Sequence, residues 1–188
     1  MRNSRLIGMT AALVVLAGCG NRDLILRVDI KSFLTPAQTQ QSFGPIPAIP
    51  GGGWSGEQAL VNDNHINMLS GLGNAVVVKH VEVTLATIVT SASGTGVDTM
   101  RVYVSDLATD PRSTAPVFTQ VLNFVPGTSD TVTSVLTDDA RVDSLFTQKT
   151  MRLTVTTSLR GPASGSALNG GIEIHTFDAV AVAGRKMN

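Results

Sequence analysis

Cysteine is nearly absent. Cys19 is the only one in 188 residues, which excludes an intramolecular disulfide and leaves the fold to core burial. Aromatic residues make up 4%, with one tryptophan, Trp54, and one tyrosine, Tyr103. Glutamate occurs only at Glu57, Glu82 and Glu173, and histidine only at His65, His80 and His175. Charged residues are 15% of the chain, balance to a formal net of 0 and are scattered, with no long run of one sign. Such a chain lacks the clustered basic face that nucleic-acid binding requires. No apolar run approaches the roughly 20 residues that a bilayer-spanning helix needs. What remains is abundant Thr, Ser, Val and Gly, a composition suited to an exported β protein.

The first 20 residues have their own organisation. Arg2 and Arg5 supply positive charge, Leu6 to Leu16 is a short uncharged apolar stretch, and small residues follow. That layout is a secretory signal. The tetrapeptide Leu16-Ala17-Gly18-Cys19 resembles the lipobox of bacterial lipoproteins, and the resemblance covers only this leader. It implies a diacylglycerol thioether on Cys19, cleavage before Cys19, and acylation of the new amino terminus with a fatty acid such as palmitate. Residues 1–18 are then signal peptide and residues 19–188 a lipid-anchored domain. Two or three acyl chains, at about 0.8 kcal/mol per buried CH₂, make a durable membrane tether. Gly20 rather than Asp after the cysteine favours the outer membrane, by resemblance to lipoprotein sorting in enterobacteria. Loss of Arg2 and Arg5 leaves twelve of the fourteen basic side chains against fourteen acidic ones.

Beyond Cys19 the hydrophobic period is two, as in half-buried strands. Leu24, Leu26, Val28 and Ile30 share one face; Arg27, Asp29 and Lys31 share the other. This strand begins about four residues after Cys19, an extended reach of about 15 Å, so the domain is expected close to the bilayer. Residues 35–74, with Pro36, Pro45, Pro47, Pro50 and Gly51-Gly52-Gly53, read as a long irregular loop. Alternation resumes over 75–89 and 100–104, and then over 117–125 and 131–136, which Pro126-Gly127 separates. Residues 137–146 form the one helical candidate, short and capped by Thr137 or Asp138. Alternation returns over 151–159 and 170–183, and a phase slip between Ile174 and Phe177 predicts a bulge near Thr176. Seven to eight strands with turn signals between them predict an all-β antiparallel sandwich of jelly-roll or immunoglobulin-like type. An up-and-down barrel is the alternative.

No catalytic constellation emerges. The histidines lack metal-ligand spacing, although His80 and His175 would share a face if their strands were neighbours. Glu82 and Glu173 could likewise oppose each other across a strand pair, as glycosidase carboxylates do across a cleft. Asn62-Asp63-Asn64-His65, and Asp106 with Asp110, offer oxygen ligands for calcium but lack an EF-hand pattern and read more simply as turns. Catalytic residues, metal ligands and cofactors are therefore not expected. Trp54 and Tyr103 are the candidate ligand-binding residues, as exposed aromatics anchor recognition. The expected role is non-enzymatic: a membrane-anchored accessory or structural subunit of the cell envelope with a protein partner. The alternative is a carbohydrate- or ligand-binding module at the cell surface. An envelope hydrolase is the third possibility.

Overall fold

The computed structural model describes residues 14–17, 23–53, 56–67, 76–148 and 150–185; Cys19 and Trp54 lie outside them. Eleven strands occur in these segments: β1 (Val14–Ala17), β2 (Asp23–Asp29), β3 (Gln40–Ile46), β4 (Gln58–Asn67), β5 (Val76–Ser93), β6 (Gly96–Ser105), β7 (Phe118–Phe124), β8 (Thr128–Thr137), β9 (Thr150–Thr157), β10 (Leu159–Arg160) and β11 (Leu168–Arg185). One sheet runs β1-β2-β11-β5-β8, with β3 also on β11. The second runs β10-β6-β9-β4, with β7 also on β6.

The strand order identifies the sandwich. The pairs β2–β11, β4–β9, β5–β8 and β6–β7 are all antiparallel and nest inside one another along the chain. Among these eight strands, with β1, β3 and β10 as additions at the edges, the first pairs with the last, the second with the second-to-last, and so inward, as in one long hairpin rolled into two sheets. That is a jelly roll rather than an immunoglobulin-like sandwich or a barrel. The inward faces meet in one core. Leu26, Val28, Val83, Leu85, Ile174 and Phe177 from the first sheet pack with Val61, Met100, Val102, Phe118, Leu153 and Val155 from the second.

The expected alternation holds along most strands, and the bulge at the end of the chain is present. The register between β11 and β5 shifts between Ile174 and Thr176, which returns Phe177 to the core at 1% exposure. Close approach of backbones also shapes this strand. A Cβ on Gly170 would stand 2.3 Å from the Thr90 carbonyl oxygen, so only glycine fits where β11 passes β5.

The region 35–74 corrects the expectation of a long irregular loop. It contains a four-residue helix, α1 (Pro36–Thr39), and the strands β3 and β4. Pro45 sits in β3, which among the described strands pairs with β11 alone; an edge strand tolerates a residue that cannot donate to a ladder. In β4 the register with β9 shifts twice between Ala59 and Asn64, and Asp63 adopts a φ of 51°. The bulge puts Val61 and Ile66, five residues apart, on the same buried face. That spacing erases the period of two that would have revealed the strand.

The expected short helix is present as α2 (Ala140–Leu145). Its cap is Asp139, whose carboxylate accepts from the Arg141 and Val142 amides. Val142, Leu145 and Phe146 close one end of the sandwich. Asp143 accepts from the Val81 amide at 2.9 Å, fastening the helix to β5.

Candidate functional site

The sequence-derived candidates divide sharply by position. Tyr103 lies half-buried on the outward face of β6, in line with Arg101 two residues earlier. Across the β6–β9 ladder Tyr103 pairs with Thr154, and Arg101 pairs with Thr156. The Thr156 hydroxyl donates to the Glu57 carboxylate. Tyr103, Arg101 and Glu57 thus belong to one polar patch on the outside of the second sheet. Trp54, three residues before Glu57 in the chain, lies outside the described residues.

Farther along the same face, Arg152 of β9 clamps the β4 bulge. Its Nε and Nη2 donate to the two carboxylate oxygens of Asp63 at 2.6 and 2.9 Å, and its Nη1 donates to the Thr109 carbonyl at 2.9 Å. The guanidinium holds the Asp63 carboxyl below the usual carboxylate range, and the same contact raises Arg152. The Asn62–His65 segment is therefore a bulge whose carboxylate is already paired. Asp106 and Asp110 serve as turn acceptors: Asp106 takes the Ala108 and Thr109 amides, and Asp110 takes the Arg112 amide. Hydrogen bonds from Thr109, hydroxyl and then amide, hold Asp106 low.

The proposed pairings across β5 and β11 fail on register, although these strands are neighbours. His80 pairs with Val182, whereas His175 lies in the bulge opposite Ala86 and Thr87. Six to seven residues at about 3.3 Å each separate the two by about 20 Å. Glu82 pairs with Val180 and Glu173 with Ile88, a comparable gap. Two of these groups have closer partners. His80 Nδ1 is 2.7 Å from Asp138 Oδ1, and Glu173 lies 3.7 Å from Lys31 Nζ.

Two interior polar side chains were not singled out from the sequence. Gln120 points inward from β7 at 2% exposure. Its Oε1 accepts from the Thr87 hydroxyl at 2.7 Å, and its Nε2 lies 3.1–3.3 Å from the Leu85 and Val132 carbonyls and the Ser134 hydroxyl. One amide therefore ties β7 to β5 and β8 in the opposite sheet. Asp98 of β6 is fully buried. Its Oδ1 accepts from the Ser158 amide at 2.7 Å, while its Oδ2 has no hydrogen-bond partner among the described residues. Burial pushes its pKa up to about 6, and the amides of Ser158 and Thr99 offset only part of that cost. The parity of each strand carried the signal: Asp98 is in phase with Met100 and Val102, and Gln120 with Phe118 and Leu122.

No protein-family model and no curated protein matches the chain. Among solved structures it is similar to a chain of infectious bursal disease virus, Gx strain, at 11% identity and a TM-score of 0.45. The similarity covers 100% of this chain and 41% of that one. A chain of the infectious bursal disease virus VP2 subviral particle aligns at 13% identity and a TM-score of 0.36, covering 100% of this chain and 42% of the viral one. This chain spans about two fifths of the length of those viral chains.

Proposed function

We propose that this chain is an envelope lipoprotein, anchored through a lipidated Cys19 and residing in the outer membrane. Its jelly roll acts as a non-enzymatic accessory or structural subunit for a protein partner. One observation carries the reading: β2 begins at Asp23, four residues after Cys19, and is hydrogen-bonded into the first sheet along its whole length through β11. A tether that short keeps the sandwich within about 15 Å of the lipid, where a membrane complex would lie. Two further features agree with a structural role. The Glu82–Glu173 and His80–His175 pairs are split by register, and the Asp63 carboxylate is committed to Arg152.

The test begins with the anchor. Cells expressing the chain are labelled with palmitate, and the mature amino terminus is weighed by mass spectrometry. A labelled, membrane-bound protein starting at residue 19, with label and membrane binding lost in Cys19→Ser, is expected. An unlabelled soluble product from the unmutated chain overturns the reading. Crosslinking in native membranes then yields one partner at fixed ratio if the protein is a subunit.

A second reading has specific support in the Tyr103–Arg101–Glu57 patch, whose aromatic, cationic and carboxylate groups suit a glycan. Quenching of Trp54 fluorescence by cell-wall glycans, abolished in Tyr103→Ala, would favour a carbohydrate-binding module. Unchanged fluorescence across a glycan series leaves the subunit role in place.

A further inference from the structure

The strand at the rim of the first sheet lies upstream of the cysteine. β1 pairs antiparallel with β2 in four registered positions, Val14 with Arg27, Val15 with Leu26, Leu16 with Ile25 and Ala17 with Leu24. The opposite edge of β2 is held by β11 over Asp23–Asp29. β3 joins the same side of β11 as β2, but farther along, at Leu168–Glu173, so it leaves the outer edge of β2 to β1. All of β1 falls within the segment that the lipobox reading assigns to the cleaved signal. In the mature chain the backbone N–H and C=O groups along the edge of Leu24–Arg27 therefore lose their strand partner. No proline or bulge interrupts β2 there, and Arg27 is the one charged side chain of the stretch; proteins ordinarily blunt a free edge with several such devices. Ile25, in this stretch, is a large apolar side chain 46% exposed.

We infer that processing at Cys19 opens this edge as a docking site. The occupant is an extended, uncharged aliphatic segment of a partner protein, added antiparallel to Leu24–Arg27. The seat itself specifies that chemistry. Its occupant in the unprocessed chain is Val-Val-Leu-Ala, and its register puts the carboxyl end of the added strand beside Leu24, the end nearest the anchor. Main-chain hydrogen bonds supply the affinity in this mode, and alternate side chains supply the selection. The signal strand thus doubles as a cover that keeps the edge closed until export is complete. This inference rests on the lipoprotein reading.

The test uses mature lipidated protein purified in detergent and a fluorescent peptide carrying residues 12–18 between lysines. Saturable binding by anisotropy is expected, with amide hydrogen exchange across Leu24–Arg27 slowed at least about tenfold. Only alternate residues of an added strand face the edge. Of two peptides N-methylated at positions 14 and 16 or at 15 and 17, one should therefore bind and the other fail. The Cys19→Ala precursor, which keeps residues 1–18, should exclude the peptide. Absent binding, or equal binding of both methylated peptides, overturns the inference. So does a mature protein that sediments as a dimer with Leu24–Arg27 already protected, because a second copy then covers the edge. The amino-terminal mass is read independently. An unprocessed chain defeats the lipoprotein reading, whereas a processed chain that ignores the peptide defeats this inference alone.

Discussion

Gln120 and Asp98 are both polar side chains turned into an apolar core, yet their energetic consequences are opposite. Gln120 finds partners on two strands of the facing sheet, so removing it alone strands the Thr87 hydroxyl, itself fully buried. Gln120→Leu is expected to cost about 2 kcal/mol, mostly as the penalty of that unpaired hydroxyl. The double variant with Thr87→Val should recover most of the loss, since apolar replacement of both partners is nearly neutral. Urea denaturation of the four members of the cycle checks this; additive losses would refute the coupling. Asp98 has no such compensation. Its folded pKa of about 6 exceeds the ordinary value of 3.8, so the folded state holds this proton more tightly than the unfolded chain does. The contribution is full below pH 4, is lost as pH rises through 6, and amounts to about 3 kcal/mol. The melting temperature should fall across that window by about 5–10 °C from this group. Asp98→Asn should flatten the step while keeping an acceptor for Ser158, and an equally steep profile in the variant would assign the effect elsewhere. Both residues are in phase with the apolar positions of their strands, but Asp98 lies just before the stretch of alternation that marks β6 in the sequence. What parity could not convey was which side chains of the opposite sheet would meet them, because that depends on strand pairing.

Legibility differed between elements for a physical reason. β2, β5, β7 and β9 alternate over seven residues or more, so the pattern of one buried face survives in the sequence. β4 does not, because its bulge inserts a residue with left-handed backbone at Asp63 and reverses the phase. Its stability draws on two separable terms at one position: a backbone conformation that aspartate and asparagine tolerate better than most residues, and the forked ion pair with Arg152. Asp63→Asn keeps the first and weakens the second, with an expected loss of about 1 kcal/mol or less, as for a partly exposed pair. Asp63→Val abolishes the pair and also places a β-branched side chain at positive φ, adding about 1–2 kcal/mol. Denaturant midpoints order the two variants. Equal losses would mean that the backbone carries no strain with valine and that the bulge is held by Arg152 alone. β3 was missed for a different reason, its proline, which argues against a central strand but not against an edge.

At the scale of the whole molecule, the nested pairing is the feature least accessible to local patterns, since it joins residues such as Val28 and Ala179 across the length of the domain. It has a mechanical consequence. The first principal strand pairs with the last, and Asp23 at the start of β2 is tied to Lys79 of β5 at 2.5 Å. The end of the sandwich at which β2 begins is therefore braced by β2, β11 and β5 together. On the proposed lipid anchor, a sandwich braced in this way would present its surfaces close above the bilayer, and the proposed subunit role depends on that height. Inserting twenty Gly/Ser residues between Cys19 and Asp23 would let the domain wander over a mean distance of about 25 Å. Stability and lipid attachment should be unchanged, because neither depends on the tether length. Crosslinking yield to a membrane partner should fall severalfold, because the effective concentration of the docking surface drops with the added reach. Undiminished crosslinking on the long tether, with the same melting temperature, would show that height above the membrane is irrelevant. The partner would then have to reach the domain from solution rather than from the membrane plane.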